Sequence, residues 1–203
     1  FFANATKATI LMPPSSPPPD TLAVGTQAPD FNLPATPDQR LRLSELRGKP
    51  VVLVFYPADW SPVCGDELAL FNEALPLIKP KQALVLGISV DSAWCHQAFR
   101  DARKLHFDLL SDYEPKGEVS RAYGAYDAEA GCSKRALFVI DAEGHVRDER
   151  VADALLGVKR SSPRVVFLGS YQRADRVAAT TQDEHDNEAF RDARDWLLDV
   201  ISG

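Results

Sequence analysis

Val51-Val52-Leu53-Val54-Phe55-Tyr56 runs directly into Pro57-Ala58-Asp59-Trp60-Ser61-Pro62-Val63-Cys64-Gly65-Asp66-Glu67. The first part is β-branched, aliphatic and aromatic with no polar alternation, the pattern of a strand buried on both faces. The second part opens a helix. Ser61 suits the N-cap and Pro62 the first helical position, where a missing N–H costs nothing. Leu68, Phe71 and Leu75 then recur at i, i+3 and i+7 on one face, and Pro76 is expected to end the helix. A buried strand feeding a helix through a short loop is the building unit of an α/β sheet.

Outward from this unit the pattern repeats. Residues 83–90 and 136–140 read as further buried strands, residues 92–104 and 119–123 as helices. Upstream, residues 28–33 and 41–43 read as short strands around a turn at Pro37-Asp38. Downstream, Asp141-Ala142-Glu143-Gly144 reads as a hairpin turn into a strand over 145–151, which adds antiparallel strands at one edge. The expected fold is therefore α/β: a central mixed β-sheet, largely parallel in its centre and flanked by helices. Residues 186–201 form an amphipathic pattern with Phe190, Ala193, Leu197 and Val200 on one face, and Thr181 with Glu184 resembles a capping box near its start. The acidic cluster Asp183, Glu184, Asp186 and Glu188 reads as a solvated helix start.

Before Val24 the chain reads differently. Pro13-Pro14-Ser15-Ser16-Pro17-Pro18-Pro19 cannot build a helix interior or a strand ladder. Residues 1–23 are thus expected to be a disordered proline-rich arm, and residues 24–203 one domain. The chain opens on Phe1 and its single methionine is Met12, so no part of the expected fold is built on residues 1–11.

A chain of 203 residues with 45% hydrophobic content supports one buried domain. A net charge of −6 argues against a nucleic-acid partner. No apolar run approaches the roughly 18 residues of a membrane span, and the N-terminus lacks a secretory pattern, so a cytoplasmic protein is expected. Three cysteines, Cys64, Cys95 and Cys132, form no CxxC pair and no zinc spacing.

Cys64 falls in the first turn of its helix, where amide groups are unpaired and the helix dipole is positive. A thiolate is stabilised there, and the thiolate is the nucleophile. The competing reading is a small buried hydrophobe at a helix start.

Pro57, Ser61 and Cys64 fit the pattern P-x-x-x-T/S-x-x-C, and here the sequence resembles the peroxiredoxins. Gly25-Thr26-Gln27-Ala28-Pro29-Asp30-Phe31, Leu43-Ser44-Glu45-Leu46-Arg47-Gly48-Lys49 and Arg135-Ala136-Leu137-Phe138-Val139-Ile140-Asp141 resemble the same family in the same order. The resemblance implies a thioredoxin-like fold and a thiol-dependent peroxidase acting on hydrogen peroxide or organic hydroperoxides, with no metal, haem or flavin cofactor. It implies Cys64 as the peroxidatic thiolate, Arg135 as the group holding sulfur and peroxide charge, Ser61 as donor and acceptor to the peroxide, and Pro57 as a shield against water. Serine stands at position 61 where the family more often has threonine. Glu67 matches an acidic position that orients the arginine, or is a solvated first-turn carboxylate. The implied partners are the peroxide, a thioredoxin-like protein or small thiol as reductant, and, as a homodimer, a second copy.

The resemblance leaves the reducing step open. Position 69, where one subgroup carries its second cysteine, is Ala69, and no cysteine follows Cys132. Cys95 at the next helix start is the candidate resolving cysteine, a one-cysteine mechanism with an external thiol stands level with it, and Cys132 is a lesser candidate. His96 reads as a polar residue near a helix N-terminus, Trp60 as packing or the substrate mouth, and Tyr123 and Tyr126 as surface packing. Residues 152–183 depart from the family pattern and have no assigned role. Two rivals use the same fold. A thiol–disulfide oxidoreductase needs a CxxC pair that Ser61 interrupts. A non-catalytic redox sensor or holdase would oxidise at Cys64 without cycling.

Overall fold

The structure, a computed structural model, describes residues 22–152 and Ile201. In chain order it comprises β1 (Asn32–Pro34), β2 (Arg40–Arg42), a 3-10 turn (Leu43–Leu46), β3 (Val51–Phe55), α1 (Pro62–Ile78), β4 (Leu84–Ser89), α2 (Ala93–Arg103), β5 (Asp108–Ser111), α3 (Glu118–Ala122), β6 (Tyr126–Asp127), β7 (Cys132–Ser133), β8 (Arg135–Ile140) and β9 (Val146–Ala152). The main sheet has the order β5-β4-β3-β8-β9. β3 pairs parallel with β4, and β4 parallel with β5. β8 is antiparallel to β3 and to β9. This is the mixed, thioredoxin-like arrangement, with its parallel part built from strand–helix–strand crossovers.

β3 lies at the centre, and every residue in it is buried. Because successive side chains point to opposite faces, Val52 and Val54 join Tyr56, Cys64, Leu68, Phe71, Leu75 and Phe99 in one core layer. Val51, Leu53 and Phe55 join Phe31, Leu33, Val119, Tyr123 and Phe138 in the other. The uninterrupted apolar run at 51–56 is the sequence signature of that two-sided cover.

Several elements differ from their sequence expectations. Of residues 28–33 only Asn32 and Leu33 are in a strand, β1, which runs on to Pro34; Pro29 has no N–H to give a ladder, and residues 25–28 instead bond to the β8–β9 hairpin, as in Ala28 N to Gly144 O at 2.9 Å. Leu43 starts the 3-10 turn rather than ending a strand. Pro76 does not end α1, which continues to Ile78. Leu75 and Ile78 are both core residues, and keeping the last turn helical buries Ile78 despite the donor lost at Pro76. β5, β6 and β7 have too few residues to display a period. Leu22 already packs against the core, two residues before the expected start at Val24. The expected arm, apart from its last residues, lies outside the described residues. So do the interval after Ala152, the acidic cluster and the last helix, except Ile201, which is helical and buried in the α1 layer. Among the described residues no helix is long and apolar enough to cross a membrane.

Candidate active site

α1 begins at Pro62 with Ser61 as its N-cap residue, which places Cys64 third in the helix. At that position the amide has no intrahelical acceptor. The side chain of Cys64 is wholly buried. β8 delivers Arg135 from the other side, and its guanidinium Nη2 lies 3.5 Å from Cys64 Sγ. One turn along α1, Glu67 accepts a hydrogen bond from Arg135 Nε at 3.2 Å. All three residues are buried, Arg135 at 8% exposure and Glu67 at 7%. A guanidinium offers several donors in one plane, so a single arginine can be held by a carboxylate at one nitrogen and face sulfur with another.

Burial pushes the Glu67 carboxyl up to about 7, against the lowering pull of the Arg135 charge and hydrogen bond. Glu67 is thus a buried partner of Arg135 and not the solvated first-turn carboxylate of the competing reading. Ser61 and Pro57 are half-buried on the loop that joins β3 to α1. Ser61 makes no side-chain capping bond, so the helix start leaves its hydroxyl uncommitted to capping.

Cys95 sits elsewhere, at the start of α2. Burial, and then a hydrogen bond to the Asp59 carboxylate, push its thiol up to about 11, against the opposing effect of a hydrogen bond from Trp60. Cys132, half-buried on β7, is raised by burial and by the charges of Asp127 and Cys64. All three cysteines are free thiols.

The reading of Tyr123 changes, and His96 and Trp60 are placed in detail. His96 lies near the N-terminus of α2 as expected, but is 1% exposed, with Nδ1 2.9 Å from Asp59 Oδ2 and Nε2 3.1 Å from the Leu110 carbonyl oxygen. Phe99 follows it at i+3 on the buried face, and that spacing was the signal in the sequence for placing His96 inward. Tyr123 is not surface packing but core, donating its hydroxyl to Pro29 O at 2.8 Å. Trp60 is 54% exposed and packs edge-on against Phe99, its backbone held at φ 62°. Asp59, to which the sequence alone assigns no role, is buried and accepts from Tyr56 Oη at 2.8 Å.

Residues 24–149 match the AhpC/TSA family. A putative peroxiredoxin of Entamoeba histolytica is 37% identical over 156 residues, covering 71% of this chain and 65% of that protein. Alkyl hydroperoxide reductase E of Mycobacterium tuberculosis is 38% identical over 130 residues, covering 62% of this chain and 83% of that protein. Among solved structures, the peroxidoxin BcpB of Mycobacterium tuberculosis superposes with a TM-score of 0.60 at 31% identity, over 66% of this chain and 88% of its own. The family match begins before β1 and ends inside β9, so it takes in β1 to β8, the first part of β9 and all of the residues around Cys64: the chain belongs to the AhpC/TSA family and is a peroxiredoxin.

Proposed function

We propose that Cys64 is the peroxidatic cysteine of a thiol-dependent peroxidase that reduces hydrogen peroxide or organic hydroperoxides. The observation that carries this reading is the buried Arg135 guanidinium 3.5 Å from Cys64 Sγ, held from behind by Glu67. The thiolate attacks one peroxide oxygen; an S–O bond forms, the O–O bond breaks, and the departing oxygen leaves as water or an alcohol after taking a proton. Sulfur is oxidised by two electrons to a sulfenic acid while the peroxide is reduced. Negative charge passes from sulfur to oxygen during this step, and a fixed guanidinium beside both stabilises it without reorganisation. Ser61 donates to one peroxide oxygen and accepts from the other. Pro57 covers the sulfur and brings no N–H of its own to compete.

For the return step an external thiol, from a small molecule or a thioredoxin-like protein, fits best. It attacks the sulfenic sulfur and releases water, and a second thiol then frees Cys64 and leaves with the disulfide. Cys95, the alternative, is held as a thiol in the reduced protein, by burial first and by Asp59 second. A reducing, cytoplasmic setting suits a cycle that starts from three free thiols.

The test is stopped-flow oxidation of the reduced protein by hydrogen peroxide, followed by turnover with a dithiol and mass spectrometry of products. Fast oxidation that is lost in Cys64→Ser, with sustained turnover in the wild type, is expected. A Cys64→Ser variant that oxidises like the wild type would overturn the assignment. A single oxidation without cycling would favour the sensor.

A further inference from the structure

The loop between β3 and α1 is gripped by α2 and the β4–α2 connection through a second buried polar cluster, distinct from the Cys64–Arg135–Glu67 group. Asp59 is its hub. The Asp59 carboxylate takes the Tyr56 hydroxyl on Oδ1 at 2.8 Å and faces His96 Nδ1 with Oδ2 at 2.9 Å. Asp59 N–H donates to Asp91 Oδ2 at 2.8 Å, and Asp91 is itself tied to Ser89 at 2.9 and 3.0 Å. Tyr56, Asp59 and His96 are all buried.

The hydrogen count in this cluster is constrained. A carbonyl oxygen only accepts, so His96 Nε2 donates to Leu110 O. The Tyr56 hydroxyl donates to Asp59. His96 Nδ1 and Asp59 Oδ2 then face each other at 2.9 Å, and the contact is attractive only if one hydrogen lies between them. Imidazolium with carboxylate and imidazole with carboxylic acid both satisfy this, and either way the pair is neutral as a unit. That is how two ionisable groups tolerate burial there.

We propose that Asp59 and His96 are positioning residues for the peroxidase reaction: as a neutral, one-hydrogen pair they lock the loop carrying Pro57, Trp60 and Ser61 to α2, and so set the approach of peroxide to Cys64. The inference rests on Cys64 being the peroxidatic residue. The residue next to Asp59 shows that the lock holds against strain. Trp60 has φ 62°, a left-handed conformation unusual for a bulky side chain, which persists only where the surroundings over-determine it. Asp59 is fixed at both its amide and its carboxylate, and Trp60 meets Cys95 and Phe99 from α2. The next residue after Trp60 is Ser61.

The test compares Asp59→Ala, Asp59→Asn and His96→Leu with the wild type in three measurements: urea midpoint, second-order rate with hydrogen peroxide, and the proton NMR spectrum in the imidazole N–H region. Displacement of the loop by about an ångström predicts a 10- to 100-fold loss of peroxide rate per folded molecule in Asp59→Ala and His96→Leu. Asp59→Asn is expected to recover the rate to within about threefold, because its amide can donate to a neutral His96 Nδ1 while its oxygen still accepts from Tyr56. The wild-type spectrum should show a deshielded, far-downfield and slowly exchanging proton on the His96–Asp59 contact that vanishes in Asp59→Ala. Wild-type rates in folded Asp59→Ala or His96→Leu, with only the urea midpoint lowered, would reduce the pair to a stability element and overturn the proposal. So would Asp59→Asn falling as far as Asp59→Ala. Should the truncations fail to fold, the Asp59→Asn rate and the wild-type spectrum still decide. A parallel Cys64→Ser control that keeps its peroxide reactivity would instead indict the assignment of Cys64.

Discussion

The hydroxyl of Ser61 stands at the N-cap of α1 yet makes no capping bond, which separates its contribution to stability from its contribution to reactivity. A bonded N-cap serine is worth about 1 kcal/mol; here Ser61→Ala should move the urea midpoint by less than about 0.5 kcal/mol. Its rate with hydrogen peroxide should nevertheless fall by roughly 100-fold, the lower end of the loss on removing one donor to a developing oxyanion. Equal small effects on both measurements would mean that the hydroxyl never meets the peroxide. Cys95 offers a second test. Its thiol is pushed up to about 11 from 9.0, so at pH near 8 it should alkylate with iodoacetamide about a hundredfold more slowly than an ordinary thiol, since the thiolate is the reacting form. Peptide mapping by mass spectrometry reads this directly, and alkylation at an ordinary rate would mean that burial and Asp59 together do not hold the thiol protonated. Cys64 could be nominated from the sequence by its place in the first turn of α1. Arg135 and Glu67 entered only through the family resemblance, with Glu67 left open as a solvated carboxylate; the structure brings the three side chains together. Asp59 and His96 were not legible in the sequence, because their meaning arises only when the loop before α1 meets α2, and no local spacing encodes that meeting.

At the scale of elements, β4 comes close enough to its neighbours to need a glycine. A Cβ on Gly87 would stand 2.5 Å from Leu109 Cδ2 and 3.2 Å from Tyr56 Cε1. Both side chains are fully buried and cannot swing into solvent. Gly87→Ala is therefore expected to cost about 1–3 kcal/mol, the usual range for overpacking a core, visible as a lower urea midpoint with an unchanged slope. A midpoint within about 0.3 kcal/mol of the wild type would show that Leu109 finds room by changing rotamer. The same closeness explains why the long elements were easier to read than the short ones. β3 and β4 display their burial as continuous apolar runs, and α2 matched residues 92–104 because Ser92 caps it by accepting from Cys95 N. β6 and β7 consist of two residues each, less than one full alternation, and exist through pairing with each other. Pro76 misled for a related reason. A breaker inside the last turn removes one donor, whereas unwinding that turn would expose Ile78; losing the apolar burial costs more, so the helix continues.

For the molecule as a whole, the active-site carboxylate gives stability a definite dependence on pH. Glu67 titrates near 7 in the folded protein against 4.5 ordinarily, chiefly because burial penalises its charged form. The folded state therefore holds this proton more tightly than the unfolded state does. Between these two values the native protein binds more protons, so the stability contributed by Glu67 is complete below about 4.5 and is lost as pH climbs through about 7. At about 1.4 kcal/mol per pH unit, the rise from 4.5 to about 7 bounds the effect at on the order of 3 kcal/mol. Asp112, raised by burial against its bonds to Val119 and Ser120, acts in the same sense, so the wild-type slope alone does not isolate Glu67. Glu67→Gln does. Its amide oxygen can still accept from Arg135 Nε, but it has no proton to lose. Urea midpoints taken in steps from about pH 5 to about pH 8 should fall in the wild type and fall less steeply in Glu67→Gln, the two profiles diverging up to about pH 7 and running parallel above it. Profiles parallel over the whole range would mean that Glu67 carries its charge freely in the native protein. The Arg135 guanidinium facing Cys64 would then be neutralised by a full carboxylate throughout that range, leaving less net positive charge to meet the negative charge that passes from sulfur to peroxide.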